Sequence, residues 1–184
     1  MSDYDPGLTD DDSAHVDSVT LVDSNEDGYA DAQYTEYSDG SSDTLIDTNA
    51  DHVADVGLAD TNADGNDDVA IRDTNYDGSA DVLVADTDYD GHADFAEADH
   101  NYDGRVDTVV SDTDHDGAFD TAVLDQNYDG VADTAVADTN DDGAFDTAAV
   151  DSNDDGQVDR VAADTNFNGT VDTVVVSEPD YTSN

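Results

Sequence analysis

Asp112–Ala137 reads DTDHDGAFDTAVL followed by DQNYDGVADTAVA, two copies of a thirteen-residue unit. Each copy opens on an Asp (Asp112, Asp125), with Asp114 or Asn127 third, Asp116 or Asp129 fifth, Gly117 or Gly130 sixth and Asp120 or Asp133 ninth. Oxygen-bearing side chains at alternate positions converge on one point only if the backbone curls around it. The sixth residue must then turn sharply, at a positive φ that Gly accepts with little strain. A carbonyl at the seventh position and the ninth carboxylate complete an all-oxygen shell of the size calcium prefers, with magnesium second because it demands a stricter octahedron. Hard oxygen donors and the absence of Cys argue against zinc, copper and iron–sulfur chemistry.

Working outward, a complete unit opens at Asp23, and from Asp47 the spacing locks at thirteen, with starts at Asp60, Asp73, Asp86, Asp99, Asp112, Asp125, Asp138, Asp151 and Asp164. The candidate calcium ligands are Asp23, Asn25, Asp27 and Asp31 in the first loop, then Asp60, Asn62, Asp64 and Asp68, and Asp73, Asn75, Asp77 and Asp81. Next come Asp86, Asp88, Asp90 and Asp94, then Asp99, Asn101, Asp103 and Asp107, and Asp112, Asp114, Asp116 and Asp120. The series ends with Asp125, Asn127, Asp129 and Asp133, then Asp138, Asn140, Asp142 and Asp146, Asp151, Asn153, Asp155 and Asp159, and Asp164, Asn166, Asn168 and Asp172. Weaker binding is expected at Asp164, where Asn168 stands fifth, and at Asp47, where His52 replaces the Gly; that loop is left out of the ligand set. The unit Thr35–Ile46 starts with Thr35 and Tyr37 in place of two ligands, so its loop is expected to stay empty. Residues 1–22 read as a degenerate N-terminal coil or cap, 23–176 as the tandem array and 177–184 as a tail that loses the pattern.

Fifty acidic residues against three Arg and no Lys give a formal charge of -47, a self-repulsion that opposes any compact state unless cations neutralise it. Without them the chain is expected to be largely disordered. Nucleic acid is a poor partner for such a field, and no apolar run is long enough for membrane insertion. Loops without a twelfth-position Glu should fill at extracellular rather than cytosolic calcium levels. The start, MSDYDPGLTD, has neither the basic nor the apolar region of a signal peptide, so an extracellular or cell-surface location implies a removed signal or another export route.

Between loops lie four residues such as TAVL, TAVA and TVVS, too few to nucleate a helix and rich in types that suit a pleat. Position eleven is always apolar or Gly (Gly57, Leu83, Val109, Ala122, Ala135 among them) and is the expected inward face. Units 112 and 138 share nine of thirteen residues, including Phe119 and Phe145, whereas 112 shares seven with 125, so a 26-residue period underlies the thirteen. The predicted fold is all-β, a calcium-stabilised, β-roll-like solenoid of thirteen-residue repeats with two repeats per turn, its strands on opposite sides and its loops along opposite edges.

The loop DTDYDGHAD at Asp86–Asp94 resembles the calcium loops of thrombospondin type 3 repeats and of FG-GAP or VCBS propeller blades, and is similar to the first nine positions of an EF-hand. Position twelve holds Val84, Val110 or Val123 where an EF-hand needs an acid, the unit is shorter than a propeller blade, and the Cys of thrombospondin repeats is missing. The overall logic is similar to the RTX β-roll, although its GGxGxD consensus is not found. That resemblance implies secretion without an N-terminal signal and folding on meeting external calcium.

Three functions follow as expectations, none enzymatic, since no Ser, His and acid arrangement stands out. The first is a calcium-binding extracellular structural or adhesive protein, a spacer, surface-layer component or filament subunit able to self-associate. The second is an ice- or mineral-binding surface on a Thr and Asx ladder, with Thr61, Thr87, Thr113, Thr139 and Thr165 in one row. The third is a calcium buffer. The five His residues share no repeat position and read as exposed spectators.

Overall fold

The computed structural model describes residues 15–177. The expectations for residues 1–14 and 178–184 lie outside it. Thirteen strands form one open sheet in strict sequence order, every neighbour antiparallel. They are β1 (Val16–Val22), β2 (Ala32–Tyr37), β3 (Ser42–Ile46), β4 (Val56–Asp60), β5 (Val69–Arg72), β6 (Val82–Ala85), β7 (Phe95–Ala98), β8 (Thr108–Ser111), β9 (Thr121–Leu124), β10 (Thr134–Ala137), β11 (Thr147–Val150), β12 (Arg160–Ala163) and β13 (Thr173–Val176). The all-β repeat architecture is therefore as the period predicts. Among the described residues no helix is long and apolar enough to cross a membrane.

The two strands of each 26-residue pair lie side by side in one layer, not on opposite sides of a flattened coil. Each strand contacts only its sequence neighbours. The register explains why position eleven cannot be an inward face. Ala122 opposes Val136, and Val136 opposes Ala148, so an eleventh residue always meets a twelfth. Opposed residues share a face and successive residues alternate faces, so whatever faces one side in one unit faces the other side in the next. Successive units are related by a half-turn screw along the sheet, which is the physical content of two units per repeat. Both faces carry the same composition, and among the described residues no second layer covers either.

The loops alternate between the two edges of the sheet, so loops on one edge are two strand spacings apart, about 9.6 Å for a spacing of about 4.8 Å. That gives a wrapped cation loop the width that a single spacing would deny it. Phe119 and Phe145 accordingly fall on one edge and Ala132 on the other.

Apolar burial is slight. Ala122 is the one buried apolar residue among those described, whereas fifteen aspartates are buried, each at 9% exposure or less. They are first- and ninth-position residues, such as Asp112 and Asp120. These two positions also continue the ladder: the Asp120 amide donates to the Ser111 carbonyl at 2.9 Å and that of Asp125 to Asp107 at 2.8 Å. The loop therefore hangs on two carboxylates fixed by strand pairing.

The unit Thr35–Ile46 departs from the rest. It forms no loop of this kind: β2 runs through Thr35 and Tyr37, and the chain reverses at Ser38–Ser41 with Tyr37 donating to the Ser41 carbonyl and accepting from Gly40, both at 2.9 Å. The segment read as a degenerate coil contains β1, the longest strand, paired along β2.

Candidate metal centre

In the loop Asp112–Asp120 the ninth carboxylate closes the ring. Asp120 Oδ2 accepts from the Thr113 amide at 2.6 Å, the Thr113 hydroxyl at 2.7 Å and the Asp114 amide at 3.3 Å. Asp112 Oδ1 accepts from the His115 amide at 2.7 Å and Oδ2 from the Gly117 amide at 2.8 Å. Asp114 and Asp116 each take one amide, two residues on, through Oδ1. Backbone donors thus occupy both oxygens of Asp112 and one oxygen of each other carboxylate, and leave Asp114 Oδ2, Asp116 Oδ2 and Asp120 Oδ1 without a backbone partner. The chain achieves this with two excursions to positive φ, at His115 (61°) and, two residues on, at Gly117 (90°). The first excursion recurs at the fourth position, at Tyr76, Tyr89, Tyr102 and Tyr128 among others, and was not foreseen from the Gly spacing.

Acidic ligand atoms of Asp112, Asp114 and Asp120, and of Asp86, Asp88 and Asp90, lie within 4.8 Å of one another. Elsewhere an Asn stands third, and its amide meets the fifth or ninth carboxylate: Asn75 meets Asp77 at 3.0 Å, Asn62 meets Asp64 at 3.3 Å, Asn140 meets Asp142 at 3.1 Å. Asn25 meets Asp31 at 3.0 Å, Asn101 meets Asp107 at 3.4 Å, Asn127 meets Asp133 at 3.2 Å and Asn153 meets Asp159 at 3.4 Å. Asn166 meets Asp172 at 2.8 Å. In each of these loops the third residue is thus brought against the fifth or the ninth.

The loop at Asp47 has the same ring, with Asp47, Asp51 and Asp55 within 4.8 Å. His52 adopts the Gly conformation at φ 73° and donates its amide to Asp47 Oδ2 at 2.7 Å. Asp47, Asp51 and Asp55 could therefore hold an ion in spite of the His at the sixth position.

Neighbouring loops on one edge touch. In two places the seventh residue of one unit packs on the sixth of the unit 26 residues later: His92 on Gly117 and Arg105 on Gly130. The fourth residue reaches back to the earlier loop. The Tyr102 hydroxyl lies 3.5 Å from that of Thr74, and His115 Nδ1 lies 2.9 Å from Asp94 Oδ1 and 3.4 Å from Asp88 Oδ2. Asp141 feels the charges of Asp120 and Asp116 of the earlier loop, and Asp154 those of Asp133 and Asp129. His115 is thus no spectator. The Tyr recurrence at position four and the 26-residue period were both visible in sequence, but their connection needs the alternation of edges.

The electrostatics split along these lines. The Thr48, Thr87 and Thr113 hydroxyls hold Asp55, Asp94 and Asp120 below the usual carboxylate range. Burial, then the charges of Asp116, Asp141 and Asp120, pushes Asp114 up, and burial with Asp120, Asp138 and Asp116 pushes Asp141 up. A divalent cation would relieve both. The residues fit one: the donors are hard oxygens, and Asp164 Oδ1 is buried without any hydrogen-bond partner, an orphan that a cation would satisfy. Both ion pairs found among the described residues involve His115.

Compared with known proteins, the chain matches no family model, no curated protein and no solved structure.

Proposed function

We propose that this chain is a calcium-binding structural or adhesive repeat protein of the extracellular space, whose sheet becomes rigid when its loops fill. The observation that carries this reading is that carboxylates take the buried positions an apolar core normally holds. Buried charges are tolerated when paired or bound to metal, and ion binding in such a chain is folding free energy. Calcium is favoured over softer ions because the loops offer oxygen only, one loop excepted.

The open ends support self-association. In β13 all four residues, TVVV, are exposed, and β1 is exposed throughout. Uncovered edge strands present a free ladder to another chain. The ice or mineral reading is the weaker of the two because the exposed Thr row already spends its hydroxyl protons inside its own loops: Thr61, Thr113, Thr139 and Thr165 donate to ninth-position carboxylates at 2.7–3.0 Å.

The test is a calcium titration of chelator-stripped protein, followed by circular dichroism and light scattering, with magnesium in parallel. Calcium is expected to bring the β signal and, at millimolar levels, assemblies of defined width. A β-rich spectrum that chelator leaves unchanged would sink the reading.

A further inference from the structure

We propose that the loop Asp86–Asp94 is a mixed nitrogen and oxygen metal site, completed by His115 from the unit 26 residues later, which prefers a transition divalent cation of the zinc and cobalt class over calcium. The inference rests on the reading that the loops hold cations, and assigns to this one loop a different ion.

Three ligand atoms converge there from two units: those of Asp88, Asp94 and His115 lie within 4.8 Å of one another. The hydrogen bonding of the two carboxylates leaves their facing oxygens free. Asp94 is 5% exposed, and its Oδ2 is taken by the Thr87 amide and hydroxyl and the Asp88 amide, so that Oδ1 has the imidazole as its one partner. Asp88 Oδ1 accepts the Asp90 amide, whereas Oδ2, 3.4 Å from the imidazole, receives no hydrogen bond. A simple His–Asp pair would employ one carboxylate. Here the ring nitrogen faces two, and a cation held by all three atoms would lie among them.

The imidazole is also held in register by a second contact. His92 of the earlier loop lies against Gly117 of the later one, its ring 3.2 Å from where a β-carbon on Gly117 would sit. The two loops therefore meet in both directions. Among the fourth-position residues of the array, Ala, Glu, Tyr, Asp and Phe supply oxygen or nothing, and His115 alone brings nitrogen. Calcium takes oxygen ligands almost exclusively, whereas imidazole suits zinc, copper and nickel, and cobalt follows the same affinity series. With two carboxylates and one imidazole, room is left for water or for a group from another molecule, so the site is open.

The experiment uses the full chain in saturating calcium, titrated with cobalt(II) and followed by visible absorption, and with zinc followed by histidine ring NMR. Wild type is expected to bind one cobalt at least about tenfold more tightly than any other, and zinc to shift the His115 ring signals. His115→Tyr should abolish that site and leave the calcium stoichiometry unchanged; Tyr holds this position in four other units, so the loop tolerates it. His100→Gln, which copies the second residue of unit 125, is the control and should retain the site. Equal cobalt binding by His115→Tyr, or zinc binding that leaves the His115 signals unmoved, would overturn the proposal. Calcium binding without a tight cobalt site ends this inference alone. A cobalt site lost with His115→Tyr, in a protein that takes up no calcium, would leave it standing and end the calcium reading.

Discussion

The β2–β3 connection and the β8–β9 connection do the same topological work in different ways. Both join antiparallel neighbours in one ladder. The first turns at Ser38–Ser41, whereas the second takes the nine residues Asp112–Asp120, whose amides donate to the loop's own carboxylates. A hairpin needs only a short turn, and each longer loop costs additional closure entropy. The nine-residue loops are therefore not what the sheet requires in order to reverse direction. They collect negative charge at both edges of a sheet that has almost no apolar core, and the sheet in turn fixes their first and ninth carboxylates through ladder hydrogen bonds.

The largest effect should come from removing the ion from all the long loops at once. Chelation is expected to dissolve β4–β13, where acidic loops join every strand, while the β1–β2–β3 end loses one loop and keeps one ordinary turn. Hydrogen exchange in limiting calcium would resolve the order: the amides of β2–β3 should be the last to lose protection as calcium falls. Uniform loss along the sheet would mean that the array melts as a unit and that the short turn confers no independence.

A smaller, local effect is expected at Asp120, which gathers three donors and anchors its loop. Asp120→Asn should weaken that loop's ion by at least about tenfold and lower the calcium count by one. Asp39→Asn in the short turn, where Asp39 accepts only from Ser41, should leave the count unchanged. Equal losses from the two substitutions, counted by anomalous scattering or equilibrium dialysis, would erase the distinction between loop and turn.

Much of this was legible in the sequence. The loop ligands announce themselves because cation wrapping fixes residue type at alternate positions, and strands follow from the four intervening residues. The arrangement of those strands was harder to read. A 26-residue period fits both a two-sided coil and a one-layer meander, since both are half-turn screws. What separates them is the odd register pairing Ala122 with Val136, a long-range property without a local signal. The search for an inward face at position eleven failed for the same reason. Contacts between edge neighbours, which carry Asp141 and His115 into other loops, became visible only once alternate units were placed on one edge.

Asp141 tests whether those contacts matter. In the ion-free loop Asp114 and Asp141 are pushed above the ordinary value of 3.8. For a carboxyl raised in the folded form, the stabilisation is fully present below 3.8 and is lost as pH rises through the elevated values. Above 3.8 the cation must therefore displace protons that the lowered carboxyls Asp55 and Asp94 have already released, so calcium affinity at this loop should keep rising with pH after that of their loops levels off. Asp141→Asn should flatten that rise and bind several-fold more weakly at pH 7. Site-resolved titrations by NMR at a series of pH values check this, and parallel profiles for wild type and variant would show that Asp141 lies outside the shell.

The smallest effect separates backbone strain from packing at His52, the one long loop whose sixth residue is not Gly. A non-Gly residue in the left-handed region costs about 1–2 kcal/mol, and His52 sits there at φ 73°. Its ring stacks on Tyr29 of the preceding loop on that edge, with centroids 4.0 Å apart and planes at 29°, a contact of about 0.5–1.5 kcal/mol. The two terms nearly cancel, which accounts for a His in a place that otherwise selects Gly. His52→Gly relieves the strain and loses the stack, so the net change in stability should fall within about 1 kcal/mol of zero. His52→Ala loses the stack and keeps the strain, and should be destabilised by the full stacking contribution. The difference between the two variants isolates the backbone term and should be about 1–2 kcal/mol in favour of Gly, measured by denaturant unfolding in saturating calcium. Identical stabilities for Gly and Ala would mean that the ion, by gripping Asp47 and Asp55, sets the cost of this turn and that the sixth-position Gly answers to something other than φ.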